Sequence, residues 1–208
     1  DSKKGDPGVF TVLLNGIAQG EIQWPLLGEH NKFNALNAIA AARHAGVETQ
    51  VAIEALREFR GVKRRMEVIY QSEDTIVYDD FAHHPTAIRT TLQGLRGQSS
   101  QDEIIAVIEP RTHTMSLGAL RNELTTCCAA ADRVLWFRGE NIKWDLHEIA
   151  EQCVVPAKIV DDVDKLVQQL IAEAPEANAS KRHIVIMSNG AFGGIYQQLT
   201  DALKQRDK

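Results

Sequence analysis

Asp79-Asp80-Phe81-Ala82-His83-His84-Pro85-Thr86 directly follows the β-branched run Thr75-Ile76-Val77-Tyr78. Carboxylates can accept hydrogen bonds or hold cations, and a neutral imidazole can accept a proton. Pro85 suits the first turn of a helix, where its missing N–H is not needed. Ile88, Leu92 and Leu95 follow at helical spacing and give that helix an apolar side. Loops leaving the carboxyl ends of strands are where open α/β sheets bind ligands, so Asp80 and His83 are expected on a functional rim.

Other segments offer chemistry of weaker specificity. In Gly28-Glu29-His30-Asn31-Lys32-Phe33-Asn34, two carboxamides stand three residues apart on one helical face. Either could cap the helix, and either could read an adenine edge, whose N7 and N6 match a carboxamide acceptor–donor pair. Lys63-Arg64-Arg65 is either solvated surface or a phosphate clamp. Glu109-Pro110-Arg111-Thr112-His113-Thr114 follows the apolar run Ile104–Ile108, but by itself specifies no reaction. Met187-Ser188-Asn189-Gly190-Ala191-Phe192-Gly193-Gly194 is either a tight turn or an anion cradle at a helix start. Neither G-x-G-x-x-G nor G-x-x-x-x-G-K-[ST] occurs anywhere in the 208 residues.

The elements that must position these groups change character near Gly61. Before it, Phe10–Leu14 and Glu21–Trp24 read as strands of a hairpin around Asn15-Gly16, joined by a longer loop. A helix from about Asn31 to Ala45, stopped by Gly46, and a second one capped by Thr49 follow. Such a segment of about 60 residues has a marginal core, so residues 1–61 are expected to be the tail of a domain whose beginning is absent. From 62 to 208, strands at Met66–Tyr70, Thr75–Tyr78, Ile104–Ile108, Val134–Phe137, Ala157–Val160 and His183–Met187 alternate with helices. Those helices are predicted at Pro85–Arg96, Leu117–Ala131, Leu146–Gln152, Val163–Ala174 and Gly194–Lys204. The pattern predicts an α/β, Rossmann-like doubly wound sheet of about six strands, mainly parallel. Its first two strands are joined too tightly for a parallel crossover, so one edge strand is antiparallel.

Composition excludes several classes. A net charge of −5 with scattered Lys and Arg gives no nucleic-acid footprint. The longest clean apolar run, Ile104–Ile108, is too short to span a membrane, and the polar N-terminus has no signal-peptide core. Cys127, Cys128 and Cys153 form an odd set without metal-ligand spacing, consistent with reduced, mostly buried thiols and a cytoplasmic location.

Three ordered motifs carry a family resemblance: Gly28-Glu29-His30-Asn31-x-x-Asn34-Ala35-Leu36-Asn37-Ala38, Arg64-Arg65-Met66-Glu67, and Asp79 through Thr86. From about Phe10 to Leu203 the chain resembles the Mur ligases, the ATP-dependent amide-forming enzymes of bacterial peptidoglycan. The resemblance implies that residues 1–61 end a central ATPase domain whose phosphate loop lies upstream, and that 62–208 form a Rossmann-like C-terminal ligase domain. It implies ATP and Mg²⁺ as cofactors of the full-length enzyme, with no metal ligands in this part, which alone would be inactive. By resemblance Asn31 and Asn34 lie near adenine, Asp80 near ribose and Arg65 near the γ-phosphate. His83 faces the incoming amine, and Arg111, Ser188 and Asn189 are candidates for its distal carboxylates.

The resemblance is nearest to the branch using UDP-N-acetylmuramate, and within it to members that attach the recycled tripeptide L-alanyl-γ-D-glutamyl-meso-diaminopimelate. The alanine-adding relatives carry arginines after this strand that hold alanine's carboxylate. Here Thr112, His113, Thr114 and Met115 follow Arg111 instead. In a tripeptide that carboxyl is already an amide, and a clamp for it would be a buried charge without a partner. The alternatives are a UDP-N-acetylmuramate–L-alanine ligase and a non-catalytic Rossmann-like nucleotide- or protein-binding module.

Overall fold

The computed structural model describes residues 8–24, 26, 28–111, 120–140, 142, 145–172 and 181–207. The chain divides into two compact units, Asp1–Val62 with Gln93–Gln98, and Lys63–Leu92 with Ser99–Lys208.

In the first unit, β1 (Val9–Leu14) and β2 (Ile17–Gln23) form an antiparallel hairpin whose register pairs Leu14 with Ile17. The expected longer loop is a two-residue turn. Asn15 and Gly16 both take positive φ, 51° and 81°, the twist that lets a two-residue connection join strands directly. The second strand therefore starts four residues before the expected Glu21. Helix α1 (Glu29–His44) ends in a Schellman motif: Gly46, at φ 91°, donates to Arg43 O and Val47 donates to Ala42 O. Helix α2 (Thr49–Glu58) begins one residue earlier than expected, with Glu48 at the cap and Thr49 as its first helical residue. Phe10, Val12, Ile22 and Trp24 pack on Ala35, Ile39, Ala52 and Ile53.

The second unit contains β3 (Glu67–Gln71), β4 (Thr75–Asp80), the greater part of α3 (Pro85–Arg96), β5 (Glu103–Ile108), α4 (Arg121–Cys127) and β6 (Arg133–Phe137). These are followed by α5 (Leu146–Gln152), β7 (Ala157–Val160), α6 (Val163–Ala172), β8 (Arg182–Met187), a 3₁₀ turn (Phe192–Gly194) and α7 (Ile195–Arg206). The six-stranded sheet has the order β3-β4-β8-β5-β6-β7, parallel throughout except for β3. Every residue of β5 and β8 is buried, as expected of central parallel strands covered on both faces. Val77, Ile105, Val107, Ile184 and Ile186 face Leu166 and Leu170 of α6 and Ile195, Leu199 and Leu203 of α7.

One helix ends earlier than the sequence suggests. Helix α4 ends at Cys127 rather than Ala131 because the chain must turn into β6. Asp132 N donates to Ile104 O while its carboxylate accepts from Ile104 N, locking that turn. The expected start of α4 at Leu117 and the last two residues of the expected Val163–Ala174 helix lie outside the described residues. The expected start of the last helix, Gly194, instead ends the 3₁₀ turn. Asp145 caps α5 and Asp162 caps α6, each accepting from a backbone N–H, while Asp161 pairs with Arg138. All three cysteines are free thiols, with Cys128 Sγ 3.2 Å from Cys153 Sγ. Among the described residues no helix is long and apolar enough to cross a membrane.

Strand β8 is last in sequence yet pairs with both β4 and β5. Met187 is in register with Asp80 on one side and Ile108 on the other. The loops after β4, β8 and β5 therefore leave one rim side by side. Because β3 runs antiparallel, its entry turn, Arg64-Arg65-Met66, lies at that same rim.

Candidate functional site

Arg64 is the structural centre of this rim. Its φ of +58° turns the chain sharply before β3, and Met66 repeats this at +51°. The Arg64 guanidinium grips the Asp79 carboxylate, with Nε 3.0 Å from Oδ2. It also donates to Ser188 O at 2.7 Å, Gly190 O at 3.0 Å and the Tyr196 hydroxyl at 2.9 Å. One planar cation thus ties the end of β4, the loop after β8 and the start of α7 together. The backbone closes the arrangement, since Phe81 N donates to Arg64 O.

Asp80 is buried at 2% exposure rather than presented on an open rim. Its Oδ1 accepts from Ala82 N at 2.7 Å and its Oδ2 from Met66 N at 2.8 Å. Burial raises its pKa, and those two N–H groups and the charge of Arg65 only partly oppose that shift. Asp79 is raised in the same way, by burial acting against Arg64. Asp80 therefore works within the fold. Both its oxygens hold backbone, one in the Arg65 turn and one in the His83 loop.

That arrangement leaves Arg65 and His83 at the surface. Arg65 is exposed, its guanidinium carbon 5.7 Å from the Phe81 ring centroid. His83 stands edge-on to the same ring at 5.2 Å. His83 Nδ1 lies 2.8 Å from Phe81 O, and a carbonyl can only accept, so Nδ1 carries the proton in the neutral ring. Nε2 then holds the lone pair, the form needed to receive a proton.

On the next loops, Arg111 is exposed and lies against Gly190: a Cβ at 190 would stand 2.1 Å from Arg111 Nη1. Ser188 is fully buried, donating inward to Glu109 and accepting from Gly190 N at 2.9 Å. It shapes the loop from beneath instead of presenting a hydroxyl outward. Asn189 is half-buried, with Oδ1 enclosed and, among the described residues, without a hydrogen-bond partner. Thr112 to Thr114 of the quoted loop lie outside the described residues. Among the described residues no three His, Cys, Asp or Glu side chains converge to hold a metal ion.

In the first unit, Asn31 and Asn34 stand in the first two turns of α1. Neither caps it: Gly28 is the cap residue, and Asn34 Nδ2 donates to Asn31 Oδ1 at 3.2 Å. The two amides form one polar edge on the helix surface.

The family model of the Mur ligase glutamate ligase domain matches residues 64–190, more than half of the sequence and all of this rim except the start of α7. The chain belongs to the Mur ligase family. It is 45% identical over 202 residues to the UDP-N-acetylmuramate–L-alanyl-γ-D-glutamyl-meso-2,6-diaminoheptandioate ligase of Escherichia coli (strain K12), covering 97% of this chain and 43% of that protein. It is 39% identical over 126 residues to the UDP-N-acetylmuramate–L-alanine ligase of Desulfitobacterium hafniense (strain Y51), covering 61% of this chain and 28% of that protein. A crystal structure of a murein peptide ligase from Psychrobacter arcticus superposes with a TM-score of 0.70 at 37% identity, covering 98% of this chain and 43% of that one. The chain thus spans less than half the length of these relatives.

Sequence reasoning missed Arg64, Glu109 and Tyr196. Arg64 was visible only as one member of a basic triplet, and nothing in the local pattern distinguishes a half-buried, fully engaged fork from its exposed neighbour. Tyr196 has no local signal at all, because its partner is 132 residues away in sequence.

Proposed function

We propose that this chain is the C-terminal part of a cytoplasmic, ATP- and Mg²⁺-dependent amide ligase of peptidoglycan recycling. It would join L-alanyl-γ-D-glutamyl-meso-diaminopimelate to UDP-N-acetylmuramate. The observation that carries this reading is the 45% identity to the E. coli tripeptide ligase across 97% of the chain. The lack of further arginines after Arg111 supports it, since Thr112, His113, Thr114 and Met115 offer no clamp for free alanine.

ATP with Mg²⁺ would supply the phosphoryl group that activates the lactyl carboxylate of UDP-N-acetylmuramate. The chain's own residues then do positioning and proton work. Arg65, exposed and backed by Phe81, suits neutralisation of phosphate charge. Asp80 positions Arg65 by holding Met66 N, so its effect on nucleotide use would be indirect. His83 Nε2 receives the proton lost by the amine as it attacks, while Phe81 O keeps the tautomer fixed. Asn31 and Asn34 offer the adenine edge its donor and acceptor. Arg111 takes a peptide carboxylate, and Asn189 Oδ1 is an acceptor that a peptide N–H would satisfy.

The competing reading is the alanine ligase, favoured by the 39% identity over 61% of the chain. Side-by-side assays of the full-length enzyme with tripeptide and free L-alanine decide between them. The expected outcome is a clearly higher kcat/KM for tripeptide. Equal or better efficiency with L-alanine would replace this reading with the rival. The 208 residues alone contain no phosphate loop and should give no turnover with either.

A further inference from the structure

One carboxylate at this rim has, among the described residues, no cation to match its burial. Glu109 is only 7% exposed, and among the described residues it makes no ion pair. A buried carboxylate is costly unless an opposite charge or several donors face it. Here Oε2 accepts the Ser188 hydroxyl, while Oε1 lies beside Gly139, 3.5 Å from where a Cβ there would stand.

Glu109, Arg111 and Gly139 line one cleft of about 400 Å³ across the carboxyl ends of β5, β6 and β7. That volume suits a small polar ligand end. Of the other charges on its wall, Arg138 pairs with Asp161 at 2.9 Å, Asp162 caps α6 through Lys165 N, and Glu140 is exposed to solvent. At depth there is one buried anion, Glu109, with the exposed Arg111 guanidinium beside it. The complementary ligand carries an ammonium and a carboxylate on one carbon.

We propose that this cleft holds the free α-amino-acid end of the peptide, its ammonium on Glu109 Oε1 and its carboxylate on Arg111. The inference rests on the tripeptide reading above, in which the distal centre of diaminopimelate is such an end. A peptide lacking the distal amine leaves Glu109 buried and unpaired, so the cleft selects for the third residue, away from the reacting bond. Glu109 and Arg111 are then specificity residues.

The test uses full-length enzyme and two peptides: the tripeptide and its analogue ending in 2-aminopimelate, which lacks only the distal amine. Wild type should show a KM about ten-fold or more higher for the analogue, the size of one charge-assisted hydrogen bond. Glu109→Gln, which keeps the shape and an acceptor for Ser188, should raise the tripeptide KM to that of the analogue and leave the analogue's KM nearly unchanged. Gly139→Ala, which sets a methyl against Oε1 at ordinary contact distance, should raise the tripeptide KM without disturbing Glu109. Equal KM values for the two peptides in wild type, or a preference that survives Glu109→Gln, would overturn the cleft assignment while leaving the tripeptide reading intact. No turnover of tripeptide beside turnover of L-alanine would instead overturn the reading beneath it.

Discussion

The two ends of the parallel sheet use charge in opposite ways. At the amino ends of the strands, Arg182 and Glu103 stand opposite each other in register on β8 and β5, both almost fully buried, with Nε and Oε2 2.8 Å apart. Arg133 adds a second contact to Glu103 at 3.3 Å. Nearby, His183 bridges Asp102 at 2.9 Å and the Tyr78 hydroxyl at 3.0 Å. Side chain answers side chain there, with backbone contacts from Lys181 N to Asp102 and from Arg182 to Leu170 O added, and little is left for a ligand. At the carboxyl ends, Asp80 and Ser188 answer backbone groups of loops, and Arg64 does so for two of its partners. Holding loops in this way leaves Arg65, His83 and Arg111 facing outward. The same residue types build stability at one end and presentation at the other.

The sharpest way to break this contrast is at the closed end. Arg182→Met leaves Glu103 buried with Arg133 alone, and removing one partner of a buried pair costs about 3–5 kcal/mol. Urea denaturation of the purified chain should show that loss, and a drop below about 1 kcal/mol would mean that Arg133 suffices.

A smaller loss is expected at the rim. Asp80→Ala deprives Ala82 N and Met66 N of a charged acceptor but also removes the cost of burying that charge, so the net loss should be about 1.5–3 kcal/mol. In full-length enzyme the KM for ATP should rise with it, because the Arg65 turn loosens. An unchanged melting temperature beside a raised KM would show direct ligand contact instead of support for the turn.

The smallest effect separates the carboxylates by direction of titration. Arg206 and the Tyr70 hydroxyl hold Asp207 below the ordinary aspartate value of 3.8, whereas burial raises Asp80 above it. For Asp207, the stabilisation is present above 3.8 and disappears as pH falls through its lower folded value. For Asp80, the folded state binds the proton more tightly than the unfolded one. Its contribution to stability therefore declines as pH rises from 3.8 through its raised folded value. Carboxyl ¹³C shifts followed from pH 2 to 7 should show Asp207 titrating first; the reverse order would remove burial as the controlling influence at the rim.

Much of this was legible in the sequence, for identifiable reasons. Alternating β-branched runs and helical periods gave all six strands of the large sheet, and Pro85 and Asp145 set their helix starts where expected. The hairpin loop was misjudged because Ile17-Ala18-Gln19-Gly20 has no strand alternation; its pairing is imposed by the Asn15-Gly16 turn. The placement of Asp80 and His83 at one rim was legible because spacing along one strand end is local. Their burial was not, since it depends on loops brought together by β8. Glu109 could be read only once Gly139 and Ser188 were seen around it.

The placement of β8 also governs how the molecule can be made. Strands β4 and β5 do not pair with each other, and each has β8 as a neighbour. Until residues 182–187 leave the ribosome, two buried apolar strands have open edges and the sheet stays in halves. Such edges are templates for pairing with other chains. The last crossover, from β7 back to the centre, must form over many residues before it is rewarded, which slows folding. The strand that brings the three rim loops together is thus also the one whose late arrival sets the interval in which the nascent chain is most exposed to aggregation.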